Sequence, residues 1–143
     1  MITQATRHDL EQVKTLLRAY AQEQRLPYLQ DTEDVAHVEG ILLSIFAGRG
    51  FVLLDDQGRG MLIAIVSPSF WLPSVRELHE LAFFVLPQHR NGTVGGRLWL
   101  RFNALASAML AEKRVSAVVT SRVRGLDIER YGYERVHETL VRV

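Results

Sequence analysis

The chain has 143 residues, 17 basic against 16 acidic side chains, a formal net charge of +1 and no cysteine. These figures exclude a disulfide framework and a thiolate metal site, and they give no bulk electrostatic reason to bind nucleic acid or an anionic membrane. A hydrophobic fraction of 48% and a charged fraction of 23% suit one globular domain over residues 1–143 with a core of its own.

Residues 2–5 read as a first strand. Asp9 is placed to cap a helix running to about Gln24, whose apolar stripe is Leu10, Val13, Leu16, Leu17 and Tyr20. Leu26, Pro27 and Tyr28 break it. Asp31 or Thr32 caps a second helix with Val35, Val38, Ile41, Leu42 and Ile45 on one face, ended by Gly48 and Gly50. Residues 51–54 and 60–66 are two strands of a hairpin about the turn at 55–58. A loop holding Ser67, Pro68, Ser69, Leu72 and Pro73 displays Phe70 and Trp71.

The next strand covers 77–86 and is closed by Pro87. A helix from Gly95 to about Lys113 repeats Leu98, Phe102, Leu105 and Met109 along its buried side, while Trp99 and Leu100 fall partly off that stripe and are candidates for core extension or a homodimer patch. A buried strand at 115–120, a short helix at 126–130 and a last strand at 133–141 complete the order β-α-α-β-β-β-α-β-α-β. That order predicts an α/β fold with a mixed, mostly antiparallel central sheet covered by helices on both faces. The strand–loop–helix–strand unit over 77–120 predicts a parallel pair with a right-handed crossover. Met1 leads straight into a polar segment and the apolar runs are strand-sized, so neither a signal peptide nor a membrane span is expected, and the expected location is the cytoplasm.

The loop Arg90, Asn91, Gly92, Thr93, Val94, Gly95, Gly96 lies between a strand and a long helix. Glycines let a ligand approach the backbone, and the first helical amides have no internal partner. Added to the positive end of the helix dipole, they make an anion site that Arg90 and Arg97 can supplement. The loop can equally be a tight glycine turn that only reverses the chain. It is neither a Walker loop nor a Rossmann fingerprint.

Residues 80–98, ELAFFVLPQHRNGTVGGRL, resemble the central motif of the GNAT superfamily of N-acetyltransferases: a strand ending in Val-x-Pro, then Arg-x-x-Gly-x-Gly/Ala, then a helix. Residues 129–136, ERYGYERV, resemble that superfamily's Gly-Phe/Tyr segment. The resemblance implies a GNAT fold and acetyl-coenzyme A as cosubstrate, without a metal. The amides of Asn91, Gly92, Thr93, Val94, Gly95 and Gly96 would take the pyrophosphate, and Phe84, Val85 and Leu86 would pair with the pantetheine arm. Three positions depart from the pattern. Thr93 replaces a glycine, Ser121 stands where many members carry a cofactor-binding asparagine, and Ile128 replaces the usual tyrosine acid.

Acetyl transfer needs a neutral amine, and a lysine-like amine of pKa about 10.4 is neutral at pH 7 only at a cost of roughly 4.6 kcal/mol. Glu80, on the strand whose end would hold the thioester, is the first candidate base; Glu77 and His79 follow. Strict alternation puts Glu77 and His79 on one face and Glu80 on the other, unless a bulge intervenes. Glu80 can also be a structural acid paired with an arginine, and His79 a hydrogen-bonded histidine. Tyr131 is the candidate acid, with packing under the last strand as its alternative reading. Phe70 and Trp71, and more weakly Tyr28, are candidates for the acceptor pocket or for capping the core edge. His8, His37, His89 and His137 read as surface residues, and no spacing makes a metal site. The reading is therefore an amine acetyltransferase of unidentified acceptor, with an acyl-coenzyme A-binding or protein-interaction module of little catalysis as the alternative. Near-neutral charge and the lack of a basic helix argue against a nucleic-acid module.

Overall fold

In the computed structural model the chain is described over residues 1–24, 35–121 and 129–134. Strand β1 (Ile2–Gln4) leads through a 3-10 turn (Arg7–Asp9) into α1 (Leu10–Gln24), and α2 (Val35–Ser44) leads through a wide helical turn (Ile45–Arg49) into β2 (Gly50–Asp55). Then come β3 (Gly60–Pro68), β4 (Arg76–Val85), α3 (Val94–Ala111) and β5 (Ala117–Val119). The sheet order is β1-β2-β3-β4-β5, antiparallel throughout except for the parallel pair β4–β5.

Both faces of the sheet are covered, which is why the central strands read as nearly unbroken apolar runs. Phe51, Leu53, Leu62 and Ala64 turn toward α3 and join Leu98, Trp99, Phe102 and Met109 in one core. Their strand neighbours Val52, Leu54, Met61 and Ile63 turn the other way and pack with Val13 and Leu16 of α1 and Leu42 and Ile45 from the α2 end. A period of two thus feeds two cores from the same strands.

Several details differ from the sequence reading. Thr6, not Asp9, caps the first helical segment: its hydroxyl accepts from the His8 amide, and its own amide donates to Asp9 Oδ2 at 2.8 Å. A threonine followed three residues later by a carboxylate is a capping box, so the acid belongs one turn inside. Val35, expected on the buried face of its helix, is exposed. The long helix begins at Val94 and ends at Ala111, where Lys113 takes a left-handed φ of 57° and the Arg114 amide reaches back to the Met109 carbonyl at 2.9 Å. Trp99 is wholly inside, whereas Leu100 is exposed. β5 is shorter than expected and its Ala117 and Val119 are exposed; at the end of the described sheet it has a strand on one side only. Asp31, Thr32, Tyr28, His137, residues 126–128 and most of the expected last strand lie outside the described residues; the 3-10 turn Glu129–Tyr131 is described, and Tyr133 and Glu134 are in no strand.

The β2–β3 turn is held by a buried ion pair. Asp55 is fully enclosed and takes Arg59 in a two-pronged grip, Nε to Oδ2 at 2.7 Å and Nη2 to Oδ1 at 2.9 Å, with the Gln57 and Arg59 amides also donating to Oδ2. The Arg59 guanidinium holds the Asp55 carboxyl down at about 2. Because the folded value lies below the unfolded one, this contribution is complete above pH of about 4 and is lost as pH falls toward about 2. Asp55→Asn is expected to lower stability by about 2–3 kcal/mol at neutral pH and to flatten the acid limb of the stability curve; urea melts from about pH 7 down to about pH 2 check both.

Candidate active site

The distinctive feature of the sheet is where β4 changes company. Along β3 it pairs from Arg76 to Val85, but along β5 only Glu77, Leu78 and His79 find partners, in Ala117, Val118 and Val119. Beyond His79 the two parallel strands part, so the outer edge of β4 toward Val85 has no strand beside it among the described residues. The departure coincides with a bulge. Ile63 faces Ala82 while Ala64 faces Glu80, leaving Leu81 as an extra residue on β4. Leu78 and Ala82 would share a face in a regular strand, yet Leu78 belongs to the α3 core and Ala82 to the α1 core. The bulge switches the phase just past Glu80, so that Glu80 keeps the register of Leu78 while Ala82 and Phe84 turn to the other face.

Glu80 spans the mouth of this gap. Its Oε2 accepts from the Ser121 amide at 3.2 Å and lies 3.4 Å from the Thr120 hydroxyl, both at the end of β5. Among the described residues no arginine meets it. Burial pushes the Glu80 carboxyl above the usual range, against the lowering effect of those two donors. Tyr20, on the last turns of α1, is close enough for the Glu80 charge to act on its hydroxyl. Burial first, and that charge second, raise the Tyr20 pKa. The Tyr20 ring meets Phe84 edge-on at 6.0 Å. Glu77 and His79 are bonded to each other, Glu77 Oε2 to His79 Nε2 at 2.8 Å, rather than to Glu80.

The glycine loop abuts the end of this edge. A Cβ on Gly95 would lie 3.6 Å from Val85 Cγ2, so the first turn of α3 rests on the last residue of β4. Among the described residues the amides of Thr93, Val94, Gly95 and Gly96 donate to no protein acceptor, while Gly92 bonds back to the His89 carbonyl and Arg97 to Thr93. None of the loop glycines has a positive φ, and Thr93 is at −99°, so the threonine meets no strain there. What the glycines supply is room: a Cβ on Gly96 would have no neighbour within 4 Å. Arg90 does not point at this cradle. Its Nε donates to the Val85 carbonyl at 2.9 Å, its Nη2 pairs with Glu23 of α1, and its charge lies over the Phe84 ring.

Tyr131 packs on the α3 side, edge-on to Trp99 at 5.9 Å, with the Arg130 cation over its ring. Tyr133 donates to Asn103 Oδ1 at 3.0 Å, and burial pushes its hydroxyl up to about 12. Phe70 and Trp71 are exposed on the β3–β4 loop and pack on each other. Ser121 contributes its amide to Glu80. The structure therefore brings together Glu80, Phe84, Val85, Arg90, Ser121 and the loop, and adds Tyr20, Glu23 and Thr120. Tyr20 was visible in the sequence only as the polar-tipped end of an apolar stripe. Among the described residues no group of three His, Asp or Glu could hold a metal.

No family model matches the sequence, and no curated protein is significantly similar to it in sequence. Solved structures are similar in fold. A GCN5-related N-acetyltransferase from Ralstonia eutropha superposes with a TM-score of 0.70 at 21% identity, covering 100% of this chain and 97% of that one. An aminoglycoside acetyltransferase from an uncultured soil metagenomic sample gives 0.68 at 16%, covering 100% and 93%. A ribosomal-protein-alanine N-acetyltransferase from Brucella melitensis gives 0.60 at 17%, covering 100% and 99%. The fold is that of the GNAT superfamily.

A carboxyl whose folded pKa lies above its unfolded value of about 4.3 loses stability as pH rises through the interval between the two, and the loss persists at neutral pH. Glu80→Gln keeps an oxygen for the Ser121 amide and removes that charge. It is expected to raise the unfolding midpoint at about pH 7 and to change it little at about pH 4; thermal melts by circular dichroism at both values give the comparison.

Proposed function

We propose that this GNAT-fold chain transfers an acetyl group from acetyl-coenzyme A directly to an amine. The observation that carries the reading is the open edge of β4 running into a loop of four unpartnered amides at a helix start. An extended pantetheine arm can hydrogen-bond along such an edge, and a pyrophosphate matches such a cradle. The amides of Asn91, Gly92, Thr93, Val94, Gly95 and Gly96 would hold the phosphates, with Arg97 exposed on the same turn. Phe84, Val85 and Leu86 would flank the arm. No metal enters the scheme.

In the reaction the amine nitrogen attacks the thioester carbonyl, the C–N bond forms, and a backbone amide near Val85 holds the developing oxyanion. Glu80 takes the amine proton, through water, and its raised pKa suits it to that work near neutrality. The C–S bond then breaks and the coenzyme leaves as a thiolate, which regains a proton. Tyr131 and Tyr20 are the two hydroxyls proposed to supply it. The Tyr20 hydroxyl stays protonated at neutral pH and lies within the field of Glu80, which favours it over Tyr131. The acceptor belongs to the amine class acted on by the similar structures, whose names include an aminoglycoside and a ribosomal-protein alanine. One domain over residues 1–143 and a cytoplasmic location complete the reading. No helix among the described residues is long and apolar enough to cross a membrane.

One observation favours a second reading, a coenzyme-binding module with little turnover. Arg90 already occupies the Val85 carbonyl, at the point where the arm would pair. Calorimetry with acetyl-coenzyme A and a thiol-release assay over an amine panel separate the two, because binding without release on any amine selects the module. For the enzyme, Glu80→Gln is expected to cut kcat/KM about 100-fold while leaving acetyl-coenzyme A affinity unchanged. Gly96→Ala makes the opposite separation. It should stabilise the free protein by about 0.5–1 kcal/mol through helix propensity and weaken coenzyme binding by filling the cradle; melts and titrations on the same sample read both.

A further inference from the structure

At the end of the sheet opposite the glycine loop, a cleft of about 490 Å³ opens between the start of β2, the end of β3, the start of β4 and the end of α3. Four cations line it: Arg49, Arg76, Lys113 and Arg114. They come from three separate stretches of chain, Lys113 and Arg114 being neighbours, so the bulk charge of +1 conceals their meeting. Glu112 pairs with Arg114 at 2.7 Å and offsets one charge; among the described residues Arg49, Arg76 and Lys113 have no carboxylate partner.

Directly beyond the cleft the β3–β4 connection forms an apolar tip. Pro68 and Arg76 are the last pair of that ladder, and the loop is closed by the Ser69 amide on the Val75 carbonyl at 2.7 Å and the Val75 amide on the Leu72 carbonyl at 3.0 Å. Phe70 is 90% exposed, Trp71 83% and Leu72 56%, three consecutive large apolar side chains in water. Scattered exposed apolar residues are ordinary, but three together on a projecting turn mark a contact surface.

We propose that this tip and its basic collar dock onto an anionic lipid bilayer, Phe70, Trp71 and Leu72 entering the interface and Arg49, Arg76, Lys113 and Arg114 meeting the headgroups. Aromatic side chains prefer that interface, and basic residues near it are drawn to anionic lipid. A twofold pairing of two copies through this face would set one cationic cluster against another. A single-stranded nucleic acid stacks on aromatic faces set inside a basic groove, whereas Phe70 and Trp71 stand on the loop beyond Arg76, the last residue of the ladder, and outside the cleft lining. The proposal does not depend on the acetyltransferase reading.

The test is flotation of the intact chain with vesicles of phosphatidylcholine alone and of phosphatidylcholine mixed with phosphatidylglycerol, with tryptophan emission recorded in parallel. Trp99 is fully buried, so a blue shift on binding reports Trp71. Expected are binding to the mixed vesicles only, a blue shift, and release by salt. Arg76→Ser with Lys113→Ser should lower partitioning about twentyfold, and Trp71→Ser should abolish the shift and weaken binding, with circular dichroism unchanged in both. Equal partitioning into both vesicle types, or into neither, overturns the proposal. So does tighter retention of a single-stranded oligonucleotide at equal salt, or self-association that Trp71→Ser dissolves.

Discussion

The geometry of this molecule turns on one strand that keeps one neighbour and loses another. β4 is paired to β3 along its whole length but to β5 over three residues, and the extra residue Leu81 lies just past that short ladder. A bulge bends the strand and sharpens its twist, so the outer edge swings away from β5 and leaves backbone groups facing outward. Hydrogen-bonding groups left at such an edge are a hazard unless something uses them. Here the helix that follows starts against the same edge, and its own unfilled amides extend the line of donors. The edge and the helix start together define an elongated polar track that ends at Glu80.

The elements were legible in the sequence because both cores impose strong patterns: the central strands are apolar throughout, and the helices carry their stripes. The glycine loop was legible through its place between a strand and a helix. The bulge was not. Nothing in the run around Leu81 distinguishes a regular strand from a bulged one, since Leu81 would be acceptable on either face. The environment of Glu80 was hidden with it: strict alternation separates that residue from Glu77 and His79 but does not bring it to Thr120 and Ser121, forty residues on. Tyr20 was hidden for a different reason. On a helical stripe a tyrosine reads as apolar, and only the packed structure shows that its hydroxyl lies in the field of a carboxylate. The basic cluster escaped because Arg49, Arg76 and the pair Lys113 and Arg114 lie far apart along the chain and are cancelled in the total by acids elsewhere.

Two carboxylates, Asp55 buried and Glu80 half-buried, show how environment divides roles between like groups. Asp55 meets a guanidinium and two amides, which hold it ionised and tie a hairpin. Glu80 meets one amide and a hydroxyl with no cation among the described residues, so burial prevails and its proton is held more tightly. The first arrangement contributes stability; the second gives some up and leaves a group ready to exchange a proton.

The left-handed residue after α3 carries a consequence of its own. A position at φ 57° ordinarily takes glycine, and a side chain there costs about 1 kcal/mol. This chain places Lys113 at that point, on the rim of the basic cleft. Any procedure that ranks substitutions by folded-state stability will therefore favour glycine at 113 and discard one of the four charges as it does so. A thermostabilised descendant of this protein would be easiest to obtain by the very change that makes it least informative about that end of the sheet.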